Sequence, residues 1–110
     1  MEFTTRPVGD LVAVIEGTGR LNMLAAPLLR AAVSSAIAEG RVRVVVNLAH
    51  VDFMDSSGLG ALISGLKSAR QAGGDLRIAA PNPQVSMVLQ LSNLDRVLSV
   101  RSDPDQAFDD

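Results

Sequence analysis

Asp55, Ser56 and Ser57 are the adjacent side chains of this sequence whose oxygen atoms are best placed to do chemistry. Each residue type favours the N-cap of a helix, because its side-chain oxygen accepts from backbone N–H groups that lack an intrahelical partner. A serine at such a position can also carry a phosphoryl group, whose charge of roughly −1.5 to −2 meets the positive end of the helix dipole. By themselves, residues 55–58 favour a simple cap with a tight turn over a modification site.

Two glycines, Gly58 and Gly60, fall within the opening turns of the helix that these residues would begin. Glycine is unusual there, since each one costs about 1 kcal/mol relative to alanine inside a helix. The missing side chain lets another chain or a phosphate approach the backbone closely. We therefore interpret both glycines as residues that permit close approach and not as catalytic groups.

Other kinds of reactive site have little support in the sequence. The single histidine, His50, would have to serve any hydrolase triad, yet it follows a strand, and no Gly-x-Ser-x-Gly elbow surrounds Ser56. Residues 60–68 approximate a phosphate-binding loop, but Lys67 does not directly follow Gly65. Cysteine is absent, and metal ligands do not occur at useful spacing. The sequence thus predicts no catalytic residue, no metal site and no cofactor, and the protein is not expected to be an enzyme.

Composition argues against several classes of partner. The 110 residues are 47% hydrophobic and 20% charged, with a formal net charge of −2, which suits one ordinary globular domain. The 10 basic residues are scattered and only 3% of residues are aromatic, so no nucleic-acid surface is expected. No run approaches about 20 apolar residues, and the N-terminus lacks the features of a secretion signal. These features predict a cytoplasmic protein without a membrane partner.

The hydrophobic periodicity alternates between strand-like and helix-like segments. Residues 3–8 and 11–16 predict a hairpin with its turn at Gly9 and Asp10. A short strand at 20–21 precedes a helix that Pro27 opens and Gly40 follows. The remaining predicted elements are a buried strand at 42–48, a helix with Leu59, Leu62, Ile63 and Leu66 on one face, a strand at 76–79, a helix capped by Asn82, a strand at 97–100 and a C-terminal tail or short helix at 101–110.

This order predicts an α/β fold, because strands that alternate with helices of this length form a largely parallel sheet. We expect a single domain over residues 1–110, with its core at about 8–100. The sheet should be mixed and mostly parallel, with an N-terminal hairpin and about four helices packed on it. Residues 51–60 run from the loop after the carboxyl end of the buried strand into the start of the second helix, and binding surfaces form at such loops.

Residues 44–48 and 51–60 resemble the signature of the STAS domain and, more narrowly, that of the bacterial anti-sigma-factor antagonists. Gly19-Arg20-Leu21-Asn22 with residues 26–29, and residues 72–79, are similar to further landmarks of that family. The resemblance covers about residues 8–100. It favours the modification site over the simple cap.

The resemblance implies a partner switch in bacterial transcription and stress response. The family's pattern places the phosphorylated serine at Ser56, and the kinase would be the anti-sigma factor itself, an ATPase of the histidine-kinase-like type. The unphosphorylated domain would bind that factor and release a sigma factor, phosphorylation would block binding, and a serine phosphatase would reset the cycle. The implied partner-binding residues are Asn22, Asp55, Ser56, Ser57, Gly58, Leu59 and Gly60.

Asn22 departs from the resemblance, because many family members have aspartate there. The amide removes a negative charge beside the expected phosphorylation site, and we expect this to weaken or retune kinase recognition. Two other functions stay open: a STAS scaffold or transporter-accessory subunit without a phosphorylation cycle and, more distantly, a small nucleotide-binding protein. A monomer is expected.

Overall fold

Strands and helices alternate along residues 1–109, the part of the chain that this computed structural model describes. The three α-helices are α1 (Ala26–Ala38), α2 (Ser56–Gln71) and α3 (Pro83–Leu91). The strands are β1 (Phe3–Val8), β2 (Val12–Gly17), β3 (Gly19–Leu21), β4 (Arg43–Asn47), β5 (Val51–Met54), β6 (Asp75–Ala79) and β7 (Ser99–Arg101). Two 3-10 turns, Leu94–Arg96 and Pro104–Gln106, complete the described segment.

Five of the strands form one mixed sheet in the order β1-β2-β4-β6-β7. β1 and β2 are the predicted antiparallel hairpin, with Gly9 at φ +65° in its turn, and the other neighbours in this sheet pair in parallel. The predicted α/β class with a mostly parallel sheet is therefore confirmed. None of the helices within residues 1–109 is both long enough and apolar enough to cross a bilayer.

Two details differ from the sequence prediction. Residues 51–54, expected in a loop, form β5, which pairs in parallel with β3 as a separate two-stranded sheet. A four-residue strand carries too short an alternation to be recognised without its partner. The expected fourth helix is absent from the described residues: the tail makes only the 3-10 turn Pro104–Gln106, capped by Asp103. Asp110 lies outside the described residues.

The main core lies between the sheet and the helices. Alternate residues of β4, Val44 and Val46, point into this core, where the apolar faces of α1 and α2 cover them. α2 contributes small residues as well as leucines, and a Cβ at Gly65 would come within 2.9 Å of Leu76 Cδ1 and 3.4 Å of Val33. This close packing fixes α2, and therefore its N-terminus, against the sheet and α1.

The opposite face of the sheet is covered by the C-terminal tail. Val45 points to this face and clusters with Ala107, while Phe108 packs at the edge of the cluster. The Arg77 guanidinium donates to the Ala107 carbonyl at 2.9 Å and stacks over the Phe108 ring, 4.3 Å from its centroid. An ion pair between Arg6 and Asp105 (2.6 Å) also attaches the tail, and this hydrogen bond raises the pKa of the Arg6 guanidinium.

Replacing Phe108 with alanine should lower the free energy of unfolding by roughly 1–3 kcal/mol, because the ring leaves apolar surface and the Arg77 stack uncovered. Urea unfolding followed by circular dichroism measures the change. The matched control is Gln106→Ala, an exposed position in the same tail. Equal stability of the two variants would show that the Phe108 ring does not stabilise the fold.

Candidate functional site

Ser56 is the first residue of α2, and its side chain is exposed to solvent. The preceding residue, Asp55, has extended backbone torsions and is the N-cap. Its Oδ1 accepts from the backbone N–H groups of Ser57 (2.9 Å) and Gly58 (3.2 Å). Of the three residues predicted as possible caps, Asp55 therefore caps the helix, and the capping role suggested for Ser57 is wrong. The Ser56 hydroxyl is not needed to cap the N-terminus of α2.

Asn22 lies beside this segment, in the turn between β3 and α1. The carbonyl of the preceding residue, Leu21, accepts from the Asp55 N–H at 3.4 Å. The Asn22 Oδ1 accepts from the backbone N–H groups of Leu24 (3.1 Å) and Ala25 (3.2 Å), which fixes the turn. An aspartate could accept the same two bonds through one oxygen. Asparagine and aspartate at position 22 would therefore form the same turn and differ in charge.

The two glycines of α2 have different surroundings. Gly58 is buried, and a Cβ there would lie 2.6 Å from the Leu21 carbonyl oxygen and 2.7 Å from Met54 Cγ. The backbone that lies close to Gly58 is therefore strand β3 of the same chain. A Cβ at Gly60 would meet only the Arg30 guanidinium, at 3.5 Å, which is an ordinary contact.

Around Ser56 the remaining predicted partner-binding residues differ in exposure. Ser57, Leu59 and Gly60 are half-buried, and Leu59 packs against the edge of the main core. Gly58 is buried, so its close neighbours are residues of the domain itself. A partner at this site could contact Ser56 directly and its neighbours at their exposed edges.

Exposed apolar side chains lie in the β3–α1 turn after Asn22 and in the first turn of α1, and the sequence analysis did not identify them as a surface. Met23, Leu24 and Leu28 are 71%, 79% and 47% exposed. Met23 and Leu24 precede α1, and Leu28 lies on α1 outside its buried stripe, which includes Leu29 and Val33. Because only Leu28 lies within the helix, the helical periodicity did not single out the three residues as a group. Apolar groups exposed next to a polar motif are typical of an interaction surface.

The structure gives no support to an enzymatic arrangement around Ser56. His50 precedes β5, while Ser56 follows it, and the strand separates them by roughly 13 Å at its usual rise per residue. Residues 60–68, which approximate a phosphate-binding loop in sequence, lie wholly within α2. Residues 1–109 contain no group of three or more His, Asp, Glu or Cys side chains that could hold a metal ion.

Known proteins match this chain over nearly its whole length. The family model described as STAS domain matches residues 5–107. The chain is 33% identical over 95 residues to the anti-sigma F factor antagonist of Lysinibacillus sphaericus, an alignment that covers 86% of this chain and 81% of the relative. A solved structure from Thermotoga maritima superposes with a TM-score of 0.88 at 30% identity, covering 97% of this chain and 92% of that one.

The anti-sigma factor antagonist SpoIIAA is also similar, and it has been solved in two states. Its unphosphorylated form superposes with a TM-score of 0.82 at 29% identity, covering 97% of this chain and 93% of that one. The phosphorylated form of SpoIIAA, a Bacillus cell fate determinant, gives a TM-score of 0.74 at 28% identity, covering 97% and 96%.

The contrast between the glycines gives a paired prediction. Gly58→Ala should lower the free energy of unfolding by about 1–3 kcal/mol, because its methyl group would overlap the Leu21 carbonyl. Gly60→Ala should be neutral or stabilise by up to about 1 kcal/mol, because alanine favours the helix and its methyl group has space. Chemical denaturation of both variants makes the comparison. Equal stability would contradict the packing described for the first turn of α2.

Proposed function

Because the chain belongs to the STAS domain family, we propose that it is an anti-sigma-factor antagonist whose binding is switched off by phosphorylation of Ser56. The single observation that carries the proposal is the exposed Ser56 hydroxyl at the start of α2, next to a residue that already caps the helix. The hydroxyl is accessible to a kinase, and its modification removes no bond that holds the fold together.

The chemistry proposed for the site is a simple phosphoryl transfer. The Ser56 oxygen attacks the γ-phosphorus of ATP, the bond to the β-phosphate oxygen breaks, ADP leaves and the hydroxyl proton is lost. A kinase supplies the catalytic groups, and this chain supplies the acceptor. The kinase proposed is the anti-sigma factor itself, of the histidine-kinase-like ATPase type, and a serine phosphatase would restore the hydroxyl.

The effect on binding follows from the surroundings of Ser56. Met23 and Leu24 follow Asn22 in the turn whose preceding residue, Leu21, bonds Asp55, and they give this surface an apolar character. A partner that covers this turn would also cover Ser56. A dianion enclosed there without a countercharge costs several kcal/mol of desolvation. Each 1.4 kcal/mol is about tenfold in affinity, so the phosphorylated chain would release the anti-sigma factor.

The proposed partners are consequently proteins. The candidate residues for the contact are Ser56 and its neighbours Asn22, Asp55, Ser57, Leu59 and Gly60, with Gly58 supporting the turn from within. We propose that the chain acts as a cytoplasmic monomer that exchanges partners and does not bind nucleic acid directly.

Phosphorylation can be tested by intact-mass spectrometry after mixing the chain with ATP and candidate serine-kinase anti-sigma factors. The wild type and Ser57→Ala should each gain about 80 Da, the mass of one phosphoryl group, whereas Ser56→Ala should gain nothing. A wild type that gains no mass with any kinase of its own organism, or a Ser56→Ala chain that gains as much, would refute the proposal.

Binding is tested with a charged substitute. Ser56→Glu should keep the circular dichroism spectrum of the wild type. Its affinity for the anti-sigma factor that binds the unphosphorylated wild type should fall at least about tenfold. Ser34→Glu, which adds the same charge at an exposed position of α1, should bind like the wild type. Unchanged calorimetric affinity for Ser56→Glu would indicate a STAS scaffold that does not switch.

The charge at position 22 should tune the kinase reaction. Asn22→Asp keeps the acceptor oxygen of the turn and restores the negative charge of the family pattern, so we expect faster phosphorylation of Ser56 with unchanged stability. Initial rates with one kinase compare the two chains. A slower rate for Asn22→Asp would show that the asparagine is not what limits recognition.

A further inference from the structure

Strand β5, which leads directly into Asp55 and Ser56, has two different edges. One edge pairs with β3. No strand pairs with the other edge among the described residues, and the first turn of α3 lies there instead. Since unpaired backbone groups at a partly buried edge are costly, the residues of α3 that satisfy them are important for this segment.

Two side-chain amides satisfy that edge. Gln84 bonds both backbone groups of Met54: its Oε1 accepts from the Met54 N–H at 3.2 Å, and its Nε2 donates to the Met54 carbonyl at 3.4 Å. The Gln84 amide thus takes the place that a residue of a neighbouring strand would occupy. Asn82 caps α3 by accepting from the Val85 N–H (2.8 Å) and donates to the Val51 carbonyl at 3.0 Å.

These bonds hold the backbone immediately before the proposed phosphorylation site. Met54 is 1% exposed, so a polar group that it lost from Gln84 would have little water to replace the bond. The next N–H, that of Asp55, donates to Leu21 on the other side of the strand. Only the torsions of Asp55 separate this held segment from Ser56.

We infer that Gln84 is a positioning residue for phosphoryl transfer to Ser56, acting through the backbone of Met54. The inference rests on the proposed function. Phosphoryl transfer depends on the alignment of the attacking oxygen with the phosphorus, and an acceptor displaced by about 1 Å can cost up to about 100-fold in rate. Gln84 restrains the entry into α2 and thereby the place of the Ser56 oxygen.

The test compares Gln84→Ala and Gln84→Glu with the control Gln90→Ala, which removes an exposed amide from the same helix. The kinase is the one that phosphorylates wild-type Ser56 in the mass assay. Gln84→Ala should lower kcat about tenfold or more with little change in KM, because the docking surface is retained and the acceptor is misplaced. Gln84→Glu keeps one acceptor for the Met54 N–H and should fall between wild type and Gln84→Ala. Gln90→Ala should match the wild type.

Amide hydrogen exchange supplies a readout that needs no kinase. In Gln84→Ala the amide hydrogens of Met54 and Asp55 should exchange at least about tenfold faster than in the wild type, while amides in the centre of β4 keep their protection. Unchanged exchange at Met54 would overturn the inference, and so would faster exchange with a wild-type kcat, since Gln84 would then be merely structural. If no kinase phosphorylates the wild type, the proposed function fails, and exchange at residues 54–56 alone decides whether Gln84 restrains them.

Discussion

The packing of Gly58 against Leu21 and Met54 is the constraint on which the site depends. No side chain fits between the first turn of α2 and the two-stranded sheet of β3 and β5, so the helix begins in direct contact with backbone. The contact brings the β3–α1 turn, with Asn22, next to Ser56. Residues more than 30 positions apart in sequence therefore form one surface, and a side chain at position 58 would separate its two halves.

In this arrangement the neighbouring residues Asp55 and Ser56 have different roles. Asp55 turns its carboxylate inward to the free N–H groups of α2, and Ser56 points outward. A serine that capped the helix would have its oxygen bonded to backbone N–H groups of the helix, and that oxygen would be turned away from a kinase. Because the cap is a different residue, charge can be added to the surface while the fold keeps its hydrogen bonds.

The rest of the domain holds this small surface rigid. The buried face of α2 packs on the sheet and α1 through small residues. Side-chain amides of Asn82 and Gln84, at the start of α3, bond the edge of β5 that does not pair with β3. The C-terminal tail covers the opposite face of the sheet, so the sheet lies between the tail and the helix that carries Ser56. The buried residues of α2 and the exposed Ser56 thus lie on different sides of one helix, so the exposed surface can change without repacking the core.

The sequence by itself determined the features that depend on neighbours along the chain. The hairpin turn at Gly9, the cap of α3 at Asn82 and the apolar stripe of α2 were predictable, because each is a matter of local torsions, caps or helical periodicity. Residues 55–58 by themselves favoured a simple cap, and the candidate site was predicted from the wider resemblance that includes residues 44–48 and 51–60. Only the tertiary structure decided that residues 51–54 are a strand, that Gly58 meets its own chain and that Gln84 bonds Met54. Each of these depends on segments distant in sequence, whose contacts leave no periodic signal in the residues that make them.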